Sequence, residues 1–334
     1  MKFIAITLNG LEGITNNEIK EVLKAKIIKA DKGKVVFDTD KENFKELRSA
    51  ERVLSYLGEF KFKDFEDFGK KIESIDFSKV EDKFKIECKR VGEHDFNSVD
   101  ISKIIGSYIN KKYGKGGVFK DFKQIVYISI FEDYCYIGID LTGKLSRRDY
   151  RIKVHASSIN ANLAYSMIRL SNFKDKEILL DPFCGDGVIC IEAALLKKGK
   201  VFGIDKRDGY IRSCRINSKI AKADVDFSIN NIEWLDTRFK KNEVDKVVSS
   251  VPYHTKRLEK EYVSNVYREF FNHLNYVLKK KGLVVLLCRY EEPLVSDAKD
   301  YGFILKDKIE VKFKGYSEFI FVFEKDLNNN VKEQ

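Results

Sequence analysis

No run of the 334 residues approaches the ~18 consecutive apolar residues that a membrane-spanning helix needs, which excludes a helical membrane protein. The first ten residues lack the apolar stretch of a secretory leader, so a cytoplasmic location is expected. The six cysteines, Cys88, Cys135, Cys184, Cys190, Cys214 and Cys288, contain no Cys-x-x-Cys spacing and have no histidines nearby. Neither a zinc site nor a disulfide framework is indicated, and no metal is expected. The chain also lacks an internal repeat, a long low-complexity tract and the lysine-bearing glycine loop that cradles phosphates.

What is present is positive charge and enough apolar residues for packed cores. The net charge is +10, the isoelectric point is near 9.0, and 43% of residues are hydrophobic. The length predicts two or three domains, and the charge favours a polyanionic partner. Periodicity predicts strands at residues 3–8 and 34–37, a helix at 16–23 and a helical stretch at 41–57, together an α+β module. Strands at 84–90 and 125–130 flank a helix at 99–113, and a strand at 134–140 closes a second module. Beyond residue 153, strands at 178–181, 201–205, 225–229, 247–250 and 283–288 alternate with helical patterns, which indicates βαβ units and a mostly parallel sheet. Two final strands, 303–313 and 319–324, have no helix between them and predict an antiparallel end.

The chemistry concentrates where these strands end. Asp181-Pro-Phe-Cys-Gly-Asp-Gly187 follows an apolar strand and opens a helical pattern. A strand ending in a carboxylate, a Gly-x-Gly that lets backbone approach a ligand, and a helix N-terminus with free N–H groups form a doubly wound cofactor site. A tight structural connection is the alternative reading of the same turn. Twenty-four residues after Asp181, the run Lys200-Val-Phe-Gly-Ile-Asp205 ends in a second acid, placed to accept hydrogen bonds from ribose hydroxyls. A solvated Asp capping the helix that starts near Asp208 is its alternative. A third strand end, Asp245-Lys-Val-Val-Ser-Ser-Val-Pro-Tyr-His254, runs into a proline-aromatic turn that cannot continue a central strand.

Two basic stretches are candidate polyanion contacts. Lys111, Lys112, Lys115 and Lys120 interleave with Tyr113, Phe119 and Phe122 on a glycine-rich turn, suited to phosphate contact and base stacking or to a plain solvated loop. Lys144, Arg147, Arg148, Arg151 and Lys153 offer guanidinium forks for phosphates, or intramolecular ion pairs to Asp149 and nearby acids.

In these motifs the chain resembles the class I methyltransferases that use S-adenosylmethionine, and within them the THUMP-domain RNA guanosine-N2 methyltransferases. That family's cofactor turn reads Asp-Pro-x-Cys-Gly-Ser/Thr-Gly-Thr-Ile, close to Asp181 through Ile189, and its Gly-x-Asp acid is similar to Gly203-Ile204-Asp205. Thr142-Gly-Lys-Leu-Ser-Arg-Arg-Asp-Tyr-Arg151 with His155-Ala156 resembles its linker, and Asn160-Ala-Asn-Leu-Ala164 its first catalytic helix. Thr7-Leu-Asn-Gly-Leu-Glu12 is similar to its ferredoxin-like segment, and residues 84–98 and 135–142 to its THUMP module. The resemblance implies an α/β architecture: a ferredoxin-like segment over 1–60, a THUMP RNA-binding domain over 61–145 and a linker over 146–156. A doubly wound, Rossmann-like class I methyltransferase domain over 157–326 and a disordered tail over 327–334 complete it.

The same resemblance implies a cytoplasmic enzyme that methylates the exocyclic N2 of a guanosine, in the acceptor stem of tRNA, with no membrane, metal or obligate protein partner. Asp181, Phe183, Gly185, Gly187 and Asp205 would hold S-adenosylmethionine, with Ile204 or a neighbour against the adenine. Asn231 stands where the family has an acid that reads the adenine amine. Ser250, Pro252 and Tyr253 would form the catalytic turn, Tyr253 stacking on an extruded base. Here the sequence departs from the family's Asn/Asp-Pro-Pro-Tyr/Phe-Gly: Ser250 replaces the Asn or Asp, Val251 the first Pro and His254 the Gly. Asp186 also replaces a Ser or Thr. A hydroxyl accepts hydrogen bonds but reaches less far than an amide or carboxylate. Two other classes therefore remain: a non-catalytic or altered-specificity RNA-binding relative, and a small-molecule nucleotide enzyme of doubly wound fold.

Overall fold

A computed structural model describes residues 1–313 and 315–326; the expected tail at 327–334 lies outside the described residues. The chain divides into two compact units, Met1–Thr7 with Thr15–Leu145, and Leu8–Ile14 with Ser146–Gln334.

The first unit contains β1 (Lys2–Ile6), α1 (Glu12–Leu23, whose first turn belongs to the second unit), β2 (Lys26–Asp31), β3 (Lys34–Asp38) and β4 (Arg52–Lys61). It continues through α2 (Phe65–Ile72), β5 (Phe84–Val91), α3 (Ser98–Tyr113), β6 (Gln124–Phe131) and β7 (Tyr134–Asp140). Its seven strands make one sheet in the order β2-β3-β1-β4-β7-β6-β5, with only β5 and β6 parallel. Helix α3 begins in a capping box, where Asn97 accepts from the Val99 and Asp100 N–H groups and Asp100 accepts from the Asn97 N–H. It ends at Gly114 in the left-handed conformation. Its Ile101, Ile105 and Ile109, four residues apart on one face, bury against Val126, Ile128 and Ile137 together with Phe68 and Ile72 of α2.

One prediction fails in this unit. The stretch 41–57 is not helical; it forms a short 3-10 turn, Phe44–Glu46, followed by most of β4. Phe44, Leu47 and Ala50 are spaced like a helix face but pack as an irregular segment on Phe3, Phe37 and Val53. β4 pairs with β1 on one edge and β7 on the other, and its successive residues Val53 and Leu54 bury in separate clusters, so here both faces are covered and the apolar residues do not alternate. This strand carries a single sheet across the boundary drawn near residue 60.

The second unit contains α4 (Ala161–Leu170), β8 (Ile178–Asp181), α5 (Val188–Leu196), β9 (Lys200–Asp205), α6 (Asp208–Ala221) and β10 (Asp226–Ile229). It continues with α7 (Leu235–Arg238), β11 (Val244–Ser250), α8 (Lys260–Val277), β12 (Leu278–Cys288), α9 (Leu294–Asp300), β13 (Phe303–Lys312) and β14 (Ser317–Lys325). The sheet order is β10-β9-β8-β11-β12-β14-β13. The first five strands are parallel, and β14 is antiparallel to both β12 and β13. The predicted doubly wound sheet with an antiparallel end is therefore borne out. Leu179 and Leu180 point to opposite faces as strand period requires, the first packing with Ala164, Ile189 and Ile191, the second with Phe270 and Phe271. The early loop joins this unit too: Leu8 and Leu11 lie in its core, and Asn9 bridges to Lys312. Gly10 has φ +96°, and a Cβ there would fall 2.1 Å from the Glu310 carbonyl oxygen, so only glycine fits.

Candidate active site

Strand order reverses direction between β8 and β11, and the carboxyl ends of β8, β9, β11 and β12 form the crevice where open α/β sheets bind ligands. At the β8 end the chain turns through Gly185 and Gly187, with φ of +55° and +83°. A Cβ on Gly187 would also sit 3.0 Å from the Phe227 ring and 3.2 Å from the Cys214 sulfur. The turn is pinned to β9 by the Cys184 N–H donating to the Ile204 carbonyl at 2.9 Å, and the Gly187 N–H donates back to Cys184 at 2.8 Å.

Three buried carboxylates surround this turn, each satisfied by named donors. Asp181 accepts from the Ser249 hydroxyl at 2.6 Å and the Phe183 N–H at 3.2 Å, which ties β8 to the end of β11. Burial, with the charges of Asp205 and Asp186 adding, pushes its pKa up to about 7 against those hydrogen bonds. Asp205 accepts from the Gly185 N–H at 3.2 Å and the Arg207 N–H at 3.0 Å. Asp186 accepts from the Ser158 hydroxyl at 2.6 Å and from Arg151 at 3.3 Å. Above Gly185 a Cβ would meet nothing within 4 Å, so ligand can approach the backbone closely. Nearby, the His155 ring stacks on Tyr210 at 3.9 Å while the Arg207 guanidinium lies 3.7 Å from the same ring centre. Two flat groups that close cannot share one face, so Tyr210 is sandwiched between them. The buried Nε2 of His155 has no partner among the described residues. An open glycine backbone, an acid beside it and an unpartnered ring nitrogen fit a nucleoside cofactor.

Phe183 is half-buried and meets Phe270 edge-on at 5.6 Å. Asn231 caps the turn after β10, its side-chain oxygen taken by the Ile232 N–H at 2.9 Å and its amide donating to Glu233 at 2.7 Å. Ile204 is fully buried in the core and offers nothing to a ligand, which corrects its expected place against an adenine.

At the β11 end, Ser250 is half-buried, and the Val251 N–H donates to the Leu287 carbonyl at 3.1 Å. The Pro252 carbonyl accepts from the Tyr267 hydroxyl, anchoring the turn to α8. Tyr253 meets Tyr290 edge-on at 6.0 Å, and His254 stacks on Tyr290 at 4.1 Å. The buried Nδ1 of His254 lacks a partner among the described residues. The structure thus gathers Asp181, Gly185, Gly187 and Asp205 at one side of the crevice and Ser250, Pro252 and Tyr253 at the other.

The basic residues divide differently. Arg148 and Arg151 were expected as phosphate contacts, but both turn inward: Arg148 pairs with fully buried Glu192 at 3.0 Å, and Arg151 pairs with Asp186. A charge buried this way would leave an unpaired partner if drawn out to a phosphate. Arg147 is exposed. In the first unit Lys111, Lys112 and Lys120 are exposed, Lys112 donating to the Tyr108 hydroxyl, while Lys115 is half-buried and holds the Ser78 carbonyl at 2.7 Å. Phe119, beside Lys120, is 93% exposed, as a base-stacking platform would be and a core aromatic would not.

Sequence reasoning named three strand ends and passed over the fourth. Arg289 and Tyr290 follow β12 at the same edge of the sheet, and the apolar run before them was the available signal. Ser249 was passed over beside Ser250. Among the described residues, no group of three or more His, Cys, Asp and Glu is arranged to hold a metal. No helix among them is long and apolar enough to cross a membrane.

Residues 148–316 match the family described as RMKL-like, methyltransferase domain. Residues 61–140 match the THUMP domain, and residues 2–54 the RlmL ferredoxin-like domain. A tRNA (guanine(6)-N2)-methyltransferase of Methanocaldococcus jannaschii is 27% identical, over 95% of this chain and 98% of that protein. One from Archaeoglobus fulgidus is 25% identical over 97% and 92%. Among solved structures, TrmN from Thermus thermophilus superposes with a TM-score of 0.80 at 24% identity, covering 97% of this chain and 99% of that one. SMU.472 complexed with SAH gives 0.76 at 19% identity, covering 97% and 98%. These two likenesses concern the fold.

Proposed function

Because the chain belongs to the family of RMKL-like methyltransferase domains, carried here with a THUMP domain, we propose that it methylates the exocyclic N2 of a guanosine in tRNA with S-adenosylmethionine. The relatives named above are tRNA (guanine(6)-N2)-methyltransferases, and we extend a guanosine target in tRNA to this chain, placing it in the acceptor stem as the resemblance implies. The enzyme works in the cytoplasm, where tRNA is found. The observation that carries the reading is the shared crevice, with Asp205 and the open Gly185 backbone on one side and the Ser250–Tyr253 turn on the other.

Bound S-adenosylmethionine supplies a methyl group on a sulfonium sulfur that leaves as a neutral thioether. Asp205 accepts hydrogen bonds from the ribose hydroxyls on lone pairs not used by Gly185 and Arg207. Gly185 and Gly187 would let the turn lie against the cofactor, Phe183 would pack on it, and the Asn231 oxygen would accept from the adenine amine with the lone pair that Ile232 leaves. Tyr253 stacks on the extruded guanine, and the Pro252 carbonyl, fixed by Tyr267, sets the angle of that ring. Ser250 accepts one N2–H, directing the nitrogen lone pair toward the methyl carbon. With the amine so held, methyl transfer would leave the N2 proton acidic enough to pass to water, so positioning rather than a strong base would do the catalytic work. Exposed Lys111, Lys112, Lys120 and Arg147, with Lys115 and Phe119, contact the RNA through phosphates and stacking.

Ser250 favours one alternative, a binding-only relative that keeps the cofactor fold. Incubating the protein with labelled S-adenosylmethionine and unmodified tRNA, then digesting to nucleosides, separates the two. Labelled N2-methylguanosine is expected, and a tRNA that is bound but carries no label would overturn the enzymatic reading.

A further inference from the structure

The base side of the crevice contains a pair of opposite charges that do not meet. Ser250 of β11 pairs with Leu287 of β12, and Cys288 of β12 pairs with Phe319 of β14. Arg289 follows Cys288 in the bend just past this register and Glu318 precedes Phe319, which places the two residues at the same end of the strand pair. Tyr316, two residues before Glu318, has its ring centre 5.1 Å from the Arg289 guanidinium. Tyr290, next to Arg289, meets Tyr253 edge-on at 6.0 Å and stacks on His254 at 4.1 Å, which sets this cluster beside the catalytic turn. Opposite charges on neighbouring strands ordinarily close on each other. Here neither side chain forms a hydrogen bond or ion pair among the described residues. Glu318 is half-buried, and burial lifts its carboxyl above the ordinary value while Arg289 pulls it down.

Resting on the methyltransferase reading above, we propose that Glu318 and Arg289 read the edge of the guanine, with Glu318 accepting from N1–H and one N2–H and Arg289 donating to O6. Guanine presents two adjacent donors and one acceptor in that order, which a carboxylate and a guanidinium complement. Adenine presents a bare N1 lone pair where guanine has N1–H, and the carboxylate repels it. A site built on such bonds rejects an isostere that cannot make them far more strongly than an apolar slot does. Holding one N2–H also stops rotation of the amine, so the pair assists the alignment that the short Ser250 hydroxyl begins. Neither residue touches the cofactor turn, so their effect falls on the accepting base alone.

2-Aminopurine separates edge reading from mere support, because it keeps the N2 amine but lacks N1–H and O6. Intact protein is given tRNA transcripts carrying guanosine or 2-aminopurine at the target nucleotide, and kcat/KM is measured for each. Glu318→Gln should lower kcat/KM on guanosine by about 30-fold or more. The Gln amide donates to the bare N1, so 2-aminopurine should be methylated as well as before or better, with cofactor affinity unchanged. Arg289→Lys, which keeps the charge and loses the fork, should cost guanosine about tenfold and 2-aminopurine little. If Glu318→Gln loses cofactor affinity or its native melting temperature, Arg289→Lys decides: a narrowed guanosine-to-2-aminopurine ratio supports the pair, and an unchanged ratio overturns it. A wild-type protein that methylates guanosine, with the same ratio in both variants, overturns only the edge reading. A wild-type protein that methylates no guanosine overturns the function and the pair together.

Discussion

The two sides of the crevice are built on opposite plans. On the cofactor side, Asp181, Asp186 and Asp205 are each nearly inaccessible and already held by Ser249, Ser158, Arg151 and backbone N–H groups, with the His155 Nε2 left unpartnered among the described residues. On the base side, the His254 Nδ1, the Arg289 guanidinium and the Glu318 carboxylate stand among tyrosines without a hydrogen-bond or ion-pair partner among the described residues. A site whose groups already hold one another is rigid before its ligand arrives. A site with unmatched groups gains most of its order from the ligand. The contrast indicates that cofactor binding costs little reorganisation, while base binding is the step that assembles the catalytic geometry.

The cofactor side should accordingly fail in stability and affinity together, and the base side in turnover alone. The largest effect is expected from Gly187→Val, which combines a forbidden φ with contact on Phe227 and Cys214. Strain and overpacking should cost about 3 kcal/mol or more of stability and abolish cofactor binding, as read by thermal melting and calorimetry. Next, Asp205→Ala should weaken S-adenosylmethionine by roughly 1–3 kcal/mol, with some loss of melting temperature because Gly185 loses its acceptor. Unchanged affinity would remove Asp205 from the site. Ser250→Ala should lower kcat by about tenfold and leave both melting temperature and tRNA affinity within error, a transition-state effect. If it melted as early as Asp205→Ala, the two sides would not differ in the way described. Ser250→Asn should match or exceed the wild-type rate.

The last prediction tests the buried acid by pH. Asp181 holds its proton up to about pH 7 in the folded protein, whereas in the unfolded chain it ionises near the ordinary aspartate value of 3.8. The folded state therefore binds the extra proton between those values, and this group's contribution to stability falls as pH rises through that window, at most about 1.4 kcal/mol per pH unit. Asp181→Asn should flatten that part of the stability profile and gain on the wild type as pH rises from 4 to 8. A parallel profile in the variant would mean that Asp181 is ionised throughout.

The cofactor side was legible in the sequence because it is local. Asp181, Gly185, Gly187 and Asp205 each sit where a strand meets a turn, and the turn geometry itself demands those residue types. The inward fate of Arg148 and Arg151 was not legible, because their acids lie 44 and 35 residues away and are identified only once α5 is packed. The proposed Arg289–Glu318 pair depends on the register between β12 and β14, which no spacing in the chain encodes. The misread stretch at 41–57 shows a related limit: a central strand covered on both faces loses the alternation by which a strand is recognised.

The loop Leu8–Ile14 bears on how the protein is made. These residues are synthesised long before β13, yet they complete the core of the unit that holds it, with Gly10 seated on Glu310. The catalytic unit therefore stays open until β13 has been synthesised, and its closure joins residues far apart in sequence. Contacts so distant in sequence form slowly, because the entropy of closing the long intervening segment must be met first. An isolated fragment beginning at Ser146 would inherit the same gap permanently, so the catalytic unit cannot be passed between genes as one continuous segment.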